Sequence, residues 1–432
     1  MNVSARLALL VLLPAVSAAA VPLSDVQLAH LRHLAVGETA VLDSFPVTET
    51  DRAAVQLERI EMAAPGARLI ISDPGGTRER ALSIGPVFVG RSRDVPGWRA
   101  YLRLDPDTGR LGGAAHGPGG LLELHAVSGP GGFEVSLREP FDSLPAGVQA
   151  TSRCGNADLP IDGIAGQMTG RPPGRPAGAA DRAALLRLGV LAIDTDKEWL
   201  DRRFGDDTAA ALDWLVDLLL ASNAIFESQL DLRMLQGDTL LRVGTDPYTE
   251  TGSGAGFAHL SEFGQYWSSN YAGIDRTHAA LVSGRASSGW SASGIAWVDS
   301  YCQTQSSGGS YSVNQLFWSS GVAVASSARV FAHEIGHNLG SAHTHCYSPP
   351  VDQCYNAEPG CYSGGVSCPA AGSGSLMSYC HVPGPNGADC GSNRLELAPQ
   401  VESLLRAQVD HQTAVTACLS TSPVLFADSF EP

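Results

Sequence analysis

The chain has 432 residues, with 28 Lys or Arg against 44 Asp or Glu, for a net charge of −16. That balance argues against the basic face of a nucleic-acid binder and the polybasic patch of a membrane-surface protein. Charged residues make up 17% and hydrophobic ones 44%, so the chain is not disordered by composition, and its length predicts two domains plus extensions.

Residues 1–20 read as an export signal. Arg6 supplies the positive start, Leu7 to Val16 the short apolar stretch, and Ala18-Ala19-Ala20 the small-residue cleavage site. The apolar stretch is too short to cross a bilayer of about 30 Å, and no later run reaches about 18 uninterrupted apolar residues, so no membrane anchor is expected. Eight of the nine cysteines lie after residue 300, which in an exported chain points to disulfides in an oxidising compartment. Their pairing is not readable, and Cys154 stands alone upstream.

Residues 21–150 form a predicted β-rich unit. Trp98, Ala100, Leu102 and Leu104 alternate with Arg99, Tyr101 and Arg103, and Phe133, Val135 and Leu137 alternate with Glu134 and Ser136. Such alternation predicts one apolar and one wet face. Residues 151–182 hold Cys154 and then Gly170-Arg171-Pro172-Pro173-Gly174-Arg175-Pro176, which cannot form a helix or a central strand. This segment reads as an exposed linker where a cut would release residues 21 to about 180.

From residue 183 to 420 the texture is α/β. Strands are predicted at Leu185 to Ile193, Leu230 to Met234, Ala279 to Val282, Gly294 to Val298 and Tyr311 to Gln315. Helices are predicted at Thr208 to Glu227 behind an Asp207 cap, at His259 to Trp267, at Ser326 to Leu339, and from Pro399 to Val409. Residues 421–432 are read as a C-terminal tail.

The chemistry concentrates at His333-Glu334-Ile335-Gly336-His337-Asn338-Leu339-Gly340-Ser341-Ala342-His343. Two histidines four apart share one helix face and can bind one zinc ion, and Glu334 beside the first can act on the attacking water. Gly340 can end the helix in a left-handed conformation and let the chain return His343 as a third ligand. Three imidazoles leave one coordination position open, as in a catalytic site and unlike a closed structural one.

This pattern resembles that of the metzincin zinc endopeptidases. Ser375-Leu376-Met377-Ser378-Tyr379 looks like their Met-turn, which implies Met377 as an apolar floor beneath the histidines; an ordinary core methionine is the alternative. Tyr379 matches a Met-x-Tyr spacing of the astacin and serralysin branches, implying a contact to the transition state, whereas a buried tyrosine with a satisfied hydroxyl fits equally well. The cysteine-rich segment and the run Asn338-Leu339-Gly340 look more like the reprolysin (adamalysin) branch, although Thr344 stands where that branch usually has Asp. The resemblance implies an α+β fold: a metzincin-like catalytic domain with a twisted, mostly parallel sheet, long helices, a zinc helix and a Met-turn, preceded by the β-rich prodomain. It also implies an edge strand above the zinc helix that binds extended peptides, for which Gly294 to Val298 is the candidate, with an ordinary interior strand as the alternative.

Arg153-Cys154-Gly155-Asn156-Ala157-Asp158 resembles the cysteine switch of matrix metalloproteinase propeptides, with Ser152 and Ala157 where that motif has Pro. The resemblance implies that the Cys154 thiolate fills the open zinc position before processing; a free or intermolecularly paired cysteine is the alternative. The expected protein is therefore a zinc endopeptidase made as a zymogen and secreted to a periplasm or the cell exterior. It would act on protein or peptide substrates, with zinc as cofactor, and is expected to be a monomer. Calcium is admitted by the resemblance and the surplus of acids. The competing reading is an exported binding or adhesion module in which three histidines and Cys154 hold a structural zinc.

Overall fold

The computed structural model describes residues 20–105, 108–129, 131–140, 153–154, 185–252, 254–285, 293–316 and 324–423. The export signal up to residue 19, Gly155, Asp158, the Pro-rich linker and tail residues 424–432 lie outside the described residues.

The N-terminal part runs β1 (Val21–Ser24), α1 (Asp25–His33), β2 (Thr39–Pro46), β3 (Arg52–Ile60), β4 (Arg68–Asp73), β5 (Gly76–Ala81), β6 (Val87–Ser92), β7 (Arg99–Leu104), β8 (Leu111–Gly117), β9 (Gly120–Gly129) and β10 (Gly132–Arg138). A capping box starts α1: Gln27 N donates to Ser24 Oγ at 3.3 Å and Ser24 N donates to Gln27 Oε1 at 2.9 Å. Eight of these strands form an antiparallel sheet in the order β1-β10-β9-β8-β7-β6-β3-β2. Ala100, Leu102 and Leu104 pack with Val55, Leu57 and Phe88 on one face, as the alternation predicts.

The opposite face is not wet. Tyr101 is fully buried and Arg103 nearly so, because a long helix from the C-terminal part lies across that face and supplies carboxylates to the polar residues on it. Alternation identifies the polar face of a strand, but it does not reveal whether charged partners cover that face.

The chain continues through β11 (Arg153–Cys154), β12 (Leu185–Thr195), α2 (Lys197–Phe204), α3 (Thr208–Leu230), β13 (Leu232–Arg242), α4 (Phe257–Asn270), β14 (His278–Ser283), β15 (Ser293–Ala296), β16 (Tyr311–Gln315), α5 (Val324–Asn338), a 3-10 turn (Thr344–Cys346), α6 (Pro399–Ala414) and β17 (Ser420–Pro423). The second sheet has the order β11-β15-β16-β14-β12-β13-β4-β5, with β17 also paired to β12. It is mostly parallel: only β15/β16, β4/β5 and β12/β17 are antiparallel. Leu191, Ala192 and Ile193 of the central β12 are fully buried, which fits a strand covered on both faces. The hairpin β4–β5, from the stretch read as a separate β-rich unit, belongs to this second sheet. Residues 421–423 of the predicted tail form the end of β17.

Asp207 caps α3 by accepting from Ala209 N at 2.9 Å and Ala210 N at 3.1 Å. By length and composition α3 is apolar enough to cross a membrane, and 78% of its apolar window is buried. It touches β7, β8 and β9 of the first sheet and also β13, α2, α5 and α6. A helix covered from several sides can be apolar all round.

His116 of β8 is buried against α3, its Nδ1 2.7 Å from Ser228 Oγ. Burial holds its pKa down, from 6.5 to about 4. Between these values the unfolded chain binds a proton that the folded chain refuses. The residue's contribution is therefore complete above pH 6.5 and is lost as pH falls toward 4. In denaturant titrations, the stability difference between the wild type and His116→Gln is expected to shift by about 2 kcal/mol against the wild type between pH 7 and pH 5. Parallel pH profiles would show that His116 titrates normally.

Candidate metal centre

Helix α5 is buried along its length and lies beneath β15 and β16. It presents His333 and His337 on one face, with their Nε2 atoms 3.0 Å apart. Gly340, at φ +116°, turns the chain beyond the helix, a backbone state that glycine adopts without penalty. His343 then returns to the site, its ring 5.3 Å from that of His333 and 4.8 Å from that of His337.

Each imidazole is oriented through its outer nitrogen. Nδ1 of His333 bonds Leu376 O at 2.8 Å, Nδ1 of His337 bonds Ser341 O at 2.7 Å, and Nδ1 of His343 bonds Glu358 Oε2 at 2.7 Å. Outer-nitrogen donation of this kind fixes the tautomer that leaves Nε2 as the metal-facing atom. His343 Nε2 is buried and has no hydrogen-bond partner among the described residues. Burial, and then the neighbouring imidazoles, lower the pKa of His333 well below 6.5 and that of His337 to about 3, which favours the neutral form that binds metal. The candidate donor atoms of Cys154, His333, His337 and His343 all lie within 4.8 Å of one another. Tetrahedral zinc with bonds of about 2.0–2.1 Å spaces its nitrogens about 3.4 Å apart, so this donor set fits one such ion.

Glu334 is fully buried beside the histidines, and burial raises its pKa well above the ordinary range, with the hydrogen bond from Cys154 opposing the rise. Its room comes from β15: a Cβ on Gly294 would stand 2.3–2.5 Å from the Glu334 carboxyl and Cγ. Met377 lies under the helix, where a Cβ on Gly336 would meet its Sδ at 2.6 Å. The Met377 loop is pinned by Thr344, which donates to Met377 O from N at 3.1 Å and from Oγ1 at 3.3 Å. A hydrogen-bonding role of this kind gives Thr344 a structural place in a position where the resembling branch usually has Asp.

Cys154 sits opposite the helix. Its Sγ is 3.5 Å from His337 Nε2 and 3.5 Å from Glu334 Oε2. Strand β11 pairs in parallel with β15, Arg153 opposite Ser293 and Cys154 opposite Gly294, so the candidate substrate strand carries β11 along the side not paired with β16. Tyr379 tilts its ring against that of His343, centroids 4.2 Å apart, donates its hydroxyl to Cys154 O at 2.8 Å and accepts from Cys154 N at 3.1 Å. A cleft lined by Arg329, Val330, Leu376, His381 and Asn393 opens beside Glu334.

Sequence reasoning missed Glu358. Its carboxylate accepts from His343 and also from His345 Nε2 at 2.9 Å, and the Cys346–Cys361 disulfide closes the loop that carries it. The available signal was an acid inside a short cysteine-bounded loop after the third histidine, and spacing alone does not tell that acid from others nearby. The remaining disulfides are Cys354–Cys380, Cys368–Cys390 and Cys302–Cys418, a set suited to an oxidising environment. Cys154 is outside all four.

Residues 187–389 match the family Reprolysin_5, metallo-peptidase family M12. Among solved structures, the chain is similar to metalloproteinase-II from Bacteroides fragilis, at 11% identity and a TM-score of 0.36 over 86% of this chain and 91% of that one, a likeness too slight to bear an argument. No curated protein matches the chain. The family match supports a zinc-dependent peptidase whose substrates are proteins or peptides. The match spans α5 and all three histidines and supports a reprolysin-like metallopeptidase domain of family M12.

Proposed function

We propose that the protein is an exported, monomeric metzincin-type endopeptidase made as a zymogen. In this reading residues 1–20 are the export signal, 21–150 the prodomain, 151–182 the switch segment and linker, and 183–420 the catalytic domain, with a short tail at 421–432. The observation that carries the proposal is the convergence of three buried imidazoles, each oriented from behind, with Glu334 at their side.

His333, His337 and His343 would hold the zinc. Bound there, zinc supplies Lewis acidity toward a substrate carbonyl and acidifies a water molecule. Glu334, one residue after His333, takes the proton of the attacking water and passes it to the leaving amine. Met377 forms the apolar floor. Strand β15 offers backbone groups to an extended peptide, and the cleft by Arg329 and His381 receives one of its side chains. Before processing, the Cys154 thiolate would be a ligand of a zinc held by the three histidines, while β11 covers the β15 edge and the Tyr379 hydroxyl is engaged by the Cys154 backbone. Departure of this segment frees the Tyr379 hydroxyl to contact the transition state. A permanently structural His3Cys site is disfavoured, because it has no use for a carboxyl beside its ligands. Calcium has no assigned site in this reading. The test is casein hydrolysis by the processed protein with and without a chelator, in which chelation should abolish the activity.

Glu358 would act as a positioning residue through His343. Glu358→Gln is expected to weaken zinc affinity by about 10- to 100-fold in a competition titration, with kcat/KM restored at saturating zinc. Unchanged affinity would leave Glu358 with a purely structural place in its loop.

A further inference from the structure

We infer that residues 20–140 stay bound to residues 185–423 after the chain is cut in the linker, because the C-terminal part carries a binding surface whose partner is the N-terminal part of this same chain. The surface has two halves. One is the edge of β13. Strand β4 lies along it in parallel register, Leu69 opposite Thr239 through Ser72 opposite Arg242. The ladder continues upstream, where Gln236 N donates to Met62 O at 2.8 Å and Ala64 N donates to Gln236 O at 2.8 Å. Arg68 closes this half: its backbone N donates to Asp238 Oδ1 at 2.7 Å, and its guanidinium reaches Asp238 Oδ2 at 2.6 and 3.1 Å.

The other half is the face of α3 turned to the first sheet. Val87, Val89, Tyr101, Ala114 and Leu121 share one continuous apolar core with Val216, Leu220 and Ala224, which lie on the same side of α3 as Asp213, Asp217 and Glu227. Inside this contact, the Tyr101 hydroxyl donates to Glu227, and Arg233 Nε donates to Tyr101 Oη at 2.8 Å and to Glu227 Oε2 at 2.9 Å. Arg103 grips Asp217 through two bonds of 2.8 and 3.1 Å.

Departure of the N-terminal part would bare the backbone edge of β13, expose an apolar helix face, and return Tyr101 to water without its partners. Among the described residues, the switch segment meets the C-terminal part through the pairing of Arg153 and Cys154 with β15 and through the Cys154 contacts to His337, Glu334 and Tyr379. A linker cut therefore loosens the latch and leaves the body in place, in contrast to the release of residues 21 to about 180 that the linker composition predicts.

This inference borrows only the location of the cut from the zymogen reading, and its test supplies that cut. A site-specific protease sequence inserted between Gly174 and Arg175 lets the folded full chain be cleaved and run on a sizing column without denaturant. Both fragments are expected in one peak at the mass of the intact chain, even at about 1 μM, as for a permanent interface. Amides of residues 239–242 should keep their hydrogen-exchange protection within about threefold after the cut. Fragments that elute separately, or protection that falls by more than about tenfold, would overturn the inference. Neither readout uses peptide hydrolysis, so a cut protein that stays together yet cleaves nothing would count only against the peptidase reading.

Discussion

Replacing Glu334 with Gln in the processed protein is expected to lower casein hydrolysis by about 10²- to 10⁴-fold, the usual share of a general acid–base group. Bound zinc, measured by elemental analysis, should stay unchanged, because the histidines are oriented by Leu376 O, Ser341 O and Glu358 and not by Glu334. Gln is close in size to the buried carboxyl, and the gap left by Gly294 accommodates it, so the fold should survive. What Gln lacks is the ability to accept a proton and return it. Chelator treatment of the wild type should produce a loss at least as deep. A variant that retains full activity, or a wild type indifferent to chelation, would remove the mechanism.

The second large effect is expected from Cys154→Ala in the uncut chain. The thiol lies within 3.5 Å of both His337 and Glu334, so it blocks the position where chemistry would begin. If the latch is closed in about 99% of molecules, its removal raises activity about a hundredfold. Pairing of β11 with β15 and the Tyr379 bonds do not depend on the thiol, so the activity of the cut wild type sets the ceiling. Equal activity of the uncut wild type and variant would show that the thiol blocks nothing.

Much of the fold was legible in local pattern. The helix behind Asp207, the strand at Tyr311 to Gln315 and the zinc-binding helix candidate at Ser326 to Leu339 follow from periodicity and caps that act over a few residues. The strand expected at Gly294 to Val298 is shorter, at Ser293–Ala296. The alternation at Trp98 to Leu104 located a strand but misjudged its second face, since the carboxylates that cover Tyr101 and Arg103 come from more than 100 residues away.

The sequence by itself determined the chemistry on offer: three histidines at helical and return spacing, an acid beside the first, and a lone upstream cysteine. The histidine spacing and the adjacent acid are short-range features, which a few residues specify. Only the tertiary structure decided that Glu358 backs His343, that Gly336 and Gly294 make room for Met377 and Glu334, and that β4 and β5 complete the second sheet. These are contacts between distant segments, and their partners depend on how the whole chain packs and not on any local preference.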